Sequence, residues 1–407
     1  MFNNKTDVFT EIGSMISTVK YADLKTFALG EYKGKVLQTK YQYKSNILAI
    51  TEDNYDFILS HILQSVNRQE SLLFLDSNMD IYKGTQSFFR RRSYRVYNFT
   101  YTNANIDTDT LSLWENAFDI DGLIDMAEYL LEPTWRHYLD EASYISLHEE
   151  LVNGLAGLLS YVISDARLKS NKFKYILDLI TSNSIDKLTN IFLASNDTTQ
   201  IIWENFISEA TDIKRDLDIY ISLLSKLAKD INNSVLSFDS YNVCSLSEEG
   251  TVTYISNLSE YNEAINIATY AIIKNNILYH ERTKGRGRAI NIIINHLEDF
   301  SDLNYLLELF GYLKKYKMNI FISCGDFDKL IAKFGAITVE RLLKCLQYIV
   351  IRKPVGMSYI SEYCGLYIDA TDINASVDKE ILITDKKYIQ CNKYNTSKHR
   401  LYDAFYE

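Results

Sequence analysis

The stretch NILAITEDNYDFILS, residues 46–60, is laid out as an apolar strand, a short polar turn and the opening of a helix. In such a unit, N–H groups converging at the helix start bind phosphate. This requires glycines so that the backbone can wrap the anion, a lysine to neutralise it and a hydroxyl for the metal. None of those residue types stands where such a turn needs it, and the turn carries Glu52, Asp53 and Asp56 instead. Like charges a few ångströms apart repel by on the order of several kcal/mol at intermediate dielectric. The turn should therefore oppose a triphosphate rather than cradle one.

Other reactive residue types form weaker patterns. The histidines, His61, His137, His148, His280, His296 and His399, have no H-E-x-x-H or related ligand spacing, and no metal is expected. Cys244, Cys324, Cys345, Cys364 and Cys391 are odd in number and contain no C-x-x-C pair, which fits free thiols in a reducing cytoplasm. Serine hydrolase chemistry lacks its motif context. Arg90, Arg91, Arg92 and Arg95 in FFRRRSYRVY, and Arg282, Lys284, Arg286 and Arg288 in HERTKGRGRAI, interleave with aromatics or glycines. Such clusters can contact single-stranded DNA, but they are more often solvated helix ends and loops.

The chain has 407 residues, 47% of them hydrophobic, which is enough for a large core or two domains. A net charge of -10 argues against a DNA-coating surface or an anionic membrane as the general partner. The first twenty residues do not read as a signal peptide, and no apolar run reaches membrane-spanning length, so a cytoplasmic protein without direct membrane insertion is expected. Strand-like runs recur at NILAI (46–50), LLFLD (72–76), YRVYNF (94–99), TVTYIS (251–256), INIII (290–294), MNIFIS (318–323) and LQYIVI (346–351). Between two of them Leu303, Leu306, Leu307, Phe310 and Leu313 share one helical face, giving a strand-helix-strand unit and a parallel sheet. From Gly122 the pattern becomes helical only. Leu147, Leu151, Leu155, Leu158 and Val162 form one stripe, and Ile219, Leu223 and Leu227 another. The spacing predicts an α/β part over 1–121, an all-helical insertion over 122–240, and a second α/β part over 241–407 that closes in short strands.

The segment LLFLDSNMDIYKGTQSFFRRRSYRVYNF resembles, without gaps, the hhhhDPKGELYxKTxxxLRKxGYxVxVhN segment of TraG-type conjugative coupling proteins. Asp76, Asp80, Ile81, Arg90, Arg92 and Tyr94 fall on that family's positions. IIINHLEDFSDLNYLLELFGYLKKYKMNIFISCGDFDKLIAKFG, from Ile292 to Gly335, is similar to its second half, and Lys386, Lys393, Tyr402 and Phe405 resemble its closing strands. The resemblance implies a RecA-like P-loop NTPase fold with an inserted all-α domain. It also implies a relation to hexameric ATPases that pass a relaxase or protein substrate to a type IV secretion channel, here expected to be without their membrane-anchoring helices.

Aligned to the P-loop, G-x-x-x-x-G-K-[ST], the turn places Thr51, Asn54 and Asp56 at glycine positions, with Glu52, Asp53 and Tyr55 among them. Phe57 stands for the lysine and Ile58 for the hydroxyl residue. The partner aspartate and glutamate become Asn295 and His296, and the sensor glutamine becomes Gly325. The resemblance thus implies an inactive relative with no nucleotide cofactor, a scaffold, adaptor or regulator. Its partners would be secretion or relaxosome proteins or an active coupling-protein paralogue. The alternative is a residual nucleotide- or single-stranded-DNA-binding protein, with Arg90, Arg91, Arg92, Arg286 and Arg288 as nucleic-acid contacts.

Overall fold

A computed structural model describes residues 16–43, 45–51, 54–100, 109, 111, 119–165, 172–230, 245–256, 258–259, 262–313, 315–353, 356–368, 378–385 and 387–406. Two compact units result, one of Met1–Asn98, Cys244–Tyr261 and Asn276–Glu407, the other of Phe99–Val243 and Asn262–Asn275. The second unit thus includes fourteen residues (275 − 262 + 1) that the sequence periodicity assigned to the closing α/β part.

The first unit is built on a twelve-stranded sheet. Its strands are β1 (Ile16–Val19), β2 (Ala28–Tyr32), β3 (Lys35–Thr39), β4 (Ile47–Ile50), β5 (Ser71–Asp76), β6 (Arg95–Thr100), β7 (Thr251–Ser256), β8 (Ile290–Asn295), β9 (Met318–Cys324), β10 (Tyr348–Ile351), β11 (Lys379–Thr384) and β12 (Lys387–Asn392). The order is β1-β3-β2-β12-β11-β10-β4-β9-β8-β5-β7-β6. From β10 to β7 every pairing is parallel. These six strands are buried along their whole length, as parallel strands covered on both faces must be, which is why they read as mainly apolar runs with a few buried polar residues such as Thr253, Asn291 and Asn319.

All seven strand-like runs are strands. Short closing strands were expected, and β11 and β12 stand there, but the sequence did not announce β1–β3 or the antiparallel pairing of this extension. Lys33 and Gly34, with φ of 49° and 76°, turn the β2–β3 hairpin in the left-handed conformation that two-residue hairpins favour. Helices α1 (Asn54–Asn67) and α2 (Asp80–Arg91) follow β4 and β5. Phe57, Ile58, Ile62 and Leu63 of α1 join Phe74, Phe321 and Val350 in the principal core. The five apolar positions between Leu303 and Leu313 are all buried.

The second unit holds α3 (Ile120–Leu131), α4 (Glu141–Ser164), α5 (Lys172–Ser182), α6 (Ile185–Leu193), α7 (Asp197–Glu209) and α8 (Ile213–Asp230). Asp119, Asp140, Ser184 and Asn196 cap four of them by accepting a backbone N–H. The two leucine-rich stripes face this core, except that Leu147 is half-buried. Trp203 sits between Phe192 and Phe206, with ring centroids 4.4 and 5.1 Å away. Among the described residues no helix is long and apolar enough to cross a membrane. Among them too, no three His, Cys, Asp or Glu side chains gather as a metal site.

Candidate functional site

Four parallel strands end together: β4 at Ile50, β9 at Cys324, β8 at Asn295 and β5 at Asp76. Ligands of open α/β sheets bind at such carboxyl ends. Hydrogen bonds run across the row. The Thr51 N–H donates to the Cys324 carbonyl (2.9 Å), Ser323 Oγ to Asn295 Oδ1 (2.9 Å) and Asn295 Nδ2 to Asp76 Oδ1 (3.2 Å). Only β9 lies between the strand that leads into the turn and the strand that ends at Asn295.

The turn itself is short. β4 ends at Ile50 and α1 begins at Asn54, which leaves positions 51–53 to connect them. A phosphate loop spends six residues, G-x-x-x-x-G, before its lysine. Glu52 and Asp53 lie outside the described residues, and Thr51 is buried. Asn54, Tyr55 and Asp56, aligned with the later part of the loop, are already helix. Asp56 in the first turn carries a carboxylate at the helix start, where the peptide dipoles favour negative charge.

The same shift turns the lysine and hydroxyl positions inward. Phe57 and Ile58 are 3% and 1% exposed. The Phe57 ring packs 4.4 Å from His61, which in turn lies 4.3 Å from Phe321. Burial lowers the His61 pKa to about 3, so this imidazole is a neutral core group.

Two residues that the sequence analysis passed over complete this corner. Arg352 follows β10 and donates its backbone N–H to the Ile50 carbonyl (2.9 Å). Its guanidinium donates to Glu380 Oε2 (2.7 Å), lies 3.4 Å from Asp56 Oδ2, and sits 5.9 Å from the Phe57 ring centroid. Asp56, counted in the sequence among the acids that oppose a triphosphate, is thus paired with a guanidinium. Glu380 is wholly buried, and burial raises its pKa while Arg352 opposes the rise. The available signal was a charge at the edge of an apolar run, closing it in IVIRK and opening it in KEILIT.

At the end of β8, Asn295 spends its amide on Asp76 and Ser323. Asp76 is itself engaged, because its second oxygen accepts the Ile81 N–H (2.8 Å), and burial raises its pKa. His296 adopts a left-handed conformation, φ 52°, and its Nδ1 lies 3.5 Å from Glu298 Oε1. The same Glu298 oxygen accepts the Gly325 N–H (2.8 Å), and a Cβ at Gly325 would come within 2.9 Å of it. The sensor position is therefore glycine for space as well as lacking a side chain.

The Glu298 hydrogen bond raises the His296 pKa against a lesser opposing effect of burial. Burial would raise Glu298, but the hydrogen bonds from His296 and the Gly325 N–H hold it below its ordinary value. A raised histidine contributes stability that is full below its unfolded pKa of about 6.5 and is lost as pH rises through the folded value. Glu298→Gln keeps an acceptor for Gly325 but removes the charge. An NMR titration of His296 is expected to show a lower pKa in that variant than in the parent, and equal values would refute the pairing. By favouring the imidazolium form, the pairing with Glu298 reduces the share of this partly exposed histidine that is free to accept a proton.

The residues do not fit Mg·ATP. The lysine position is core, the metal-shell position is an amide satisfied within the protein, and the helix start holds its own carboxylate and guanidinium.

The arginines suggested as nucleic-acid contacts do not join this corner. Arg90 and Arg91 end α2, Arg92 follows it, and Arg286 and Arg288 precede β8, so they lie towards the opposite, amino-terminal ends of the strands. Arg91 donates to the Phe405 carbonyl (3.4 Å), Arg92 lies 5.7 Å over the Phe88 ring, and Arg95 pairs with Glu249 (2.8 Å).

No family model and no curated protein matches the sequence. The fold is similar to solved structures of two proteins. Against the unbound monoclinic form of the bacterial conjugative coupling protein TrwBdeltaN70, the TM-score is 0.61 at 12% identity over 91% of this chain and 88% of that one. Its trigonal form in complex with sulphate gives 0.57 at 13% identity over 86% and 85%. VirB4 of Thermoanaerobacter pseudethanolicus gives 0.52 at 11% identity over 92% and 97%. At these identities the likeness establishes the fold alone, the RecA-like α/β fold with an inserted all-helical unit.

Proposed function

We propose that this chain has kept the scaffold of a conjugative coupling ATPase and lost its nucleotide chemistry, serving as a scaffold, adaptor or regulator in conjugative DNA transfer or type IV secretion. One observation carries the loss of chemistry. A three-residue connection replaces the phosphate loop, and Asp56 and Arg352 pair at the helix start where phosphates would sit. TrwB has been solved with the GTP analogue GDPNP, so that protein, similar at a TM-score of 0.52, takes a nucleotide. The likeness to TrwB and VirB4 supports the transfer or secretion context.

Calorimetric titration of the full chain with Mg·ATP should show no binding in the micromolar range and no hydrolysis. One-to-one micromolar binding that changes on Asp56→Asn would overturn the reading. The full-length chain is further expected to retain a secretion or relaxosome protein, or an active coupling-protein paralogue, in pull-downs from cells that carry transfer genes. Capture of none of these would argue for another role.

A further inference from the structure

We propose that a cleft at the amino-terminal ends of the parallel strands is a binding site for a small polyphosphate anion, distinct from the degenerate turn. The cleft has a volume of about 470 Å³, and its lining includes Asn67, Gln69, Arg92, Tyr94, Arg288 and Arg400. Three arginines from distant parts of the chain meet there. Arg92 follows α2, Arg288 precedes β8, and Arg400 precedes the closing helix Tyr402–Tyr406. Only the fold brings them together, which is why Arg400 did not stand out in the sequence.

Among the described residues none of the three has a carboxylate partner. Arg288 donates to the Gln69 carbonyl, Arg400 to Asn67 Oδ1, and Arg92 lies over the Phe88 ring. The neighbouring acids are already neutralised. Glu70 is held by Arg68 through two hydrogen bonds of 2.9 and 3.0 Å, and Glu249 by Arg95 at 2.8 Å. Three guanidinium groups therefore face one cleft with unspent charge and donors.

Guanidinium forks match phosphate oxygens in pairs. The volume lies in the range of about 300–1,000 Å³ typical of small-ligand sites. Three positive charges balance a di- or triphosphate. A long polyanion is the poorer fit, because a chain with a net charge of -10 repels it beyond the cleft. Binding would also tie the tail at Arg400 to the end of α2, next to the point where Phe405 packs on Phe88 with ring centroids 5.0 Å apart.

The test is calorimetric titration of the full chain with inorganic tripolyphosphate in the absence of divalent cations. One-to-one binding at a Kd below about 1 mM is expected, weakened about tenfold or more by Arg288→Ala and by Arg400→Ala, as loss of a charged hydrogen-bond donor implies. Asp56→Asn should leave the affinity unchanged, and circular dichroism confirms that each variant is folded. No binding to the folded parent at about 1 mM, or binding indifferent to both arginine variants, would overturn the proposal. A thymidine oligonucleotide of about twelve residues that binds more tightly than tripolyphosphate, with the same arginine dependence, would reassign the cleft to a nucleic-acid backbone. The cleft does not depend on the proposed function. Micromolar Mg·ATP binding that survives both arginine variants would count against that function and leave the cleft standing.

Discussion

Replacing Phe57 with lysine should lower the unfolding free energy of the α/β unit by about 3–5 kcal/mol and produce no ATPase. A lysine restores the residue of the P-loop motif, but the site is 3% exposed and walled by His61 and, beyond it, Phe321. The ammonium would give up water for aromatic faces and approach the Arg352 guanidinium, which lies 5.9 Å from the present ring centroid. The measurement is the midpoint of urea unfolding, read alongside phosphate release. A variant as stable as the parent would mean that position 57 can turn outward. Detectable hydrolysis would mean that the remaining parts of a nucleotide site are present after all. Functional groups that act as a unit are not restored singly.

Arg352→Ala is expected to be comparably damaging, by about 3–5 kcal/mol, because it strands a buried carboxylate. Glu380 is wholly buried, and the Arg352 side chain beside it is 6% exposed. The effect should depend on pH with a definite sign. Burial holds the Glu380 pKa above its ordinary value even with Arg352 opposing, and removing Arg352 raises it further. An acid whose folded pKa exceeds its unfolded one loses stability as pH rises above the unfolded value. The deficit of the variant should therefore be greater at about pH 8 than at about pH 5. Adding Glu380→Gln should recover part of the loss. Urea denaturation at both pH values is the check, and a deficit independent of pH would show that Glu380 is not the stranded charge.

The parallel core was legible because each of its strands is buried on both faces and so appears as an apolar run of β-branched and leucine residues. The hairpin of β2 and β3 was not, since ALGEY and KVLQT are short, mixed in polarity and partly exposed. At the site, the substitutions at Phe57, Ile58, Asn295, His296 and Gly325 are implied by the resemblance to the TraG-type segments. Their orientation is not, because an ungapped match counts residues without fixing where a helix begins, and α1 begins at Asn54. The Arg352 pairs were invisible for a different reason: Glu380 lies 28 positions away on another strand, and Asp56 lies 296 away. The polyphosphate cleft shares that difficulty.

The sheet order has a consequence for how the chain is made. Ser45 and Asn46, at the start of β4, bond to Asn319 and Gln347, 274 and 301 positions later. A ribosome adding roughly 5–20 residues per second leaves β4 without these neighbours for on the order of 15–60 s. Throughout that interval its apolar edge is open to pairing with other chains, while closing so long a loop carries its own entropic cost. The helices of 120–230 emerge meanwhile and pack largely with one another. Nascent chains of this protein thus pass through a stage in which a helical middle is formed and the first strands still wait for the last third of the polypeptide, and this is the stage at which a chaperone that holds extended apolar segments would decide the yield.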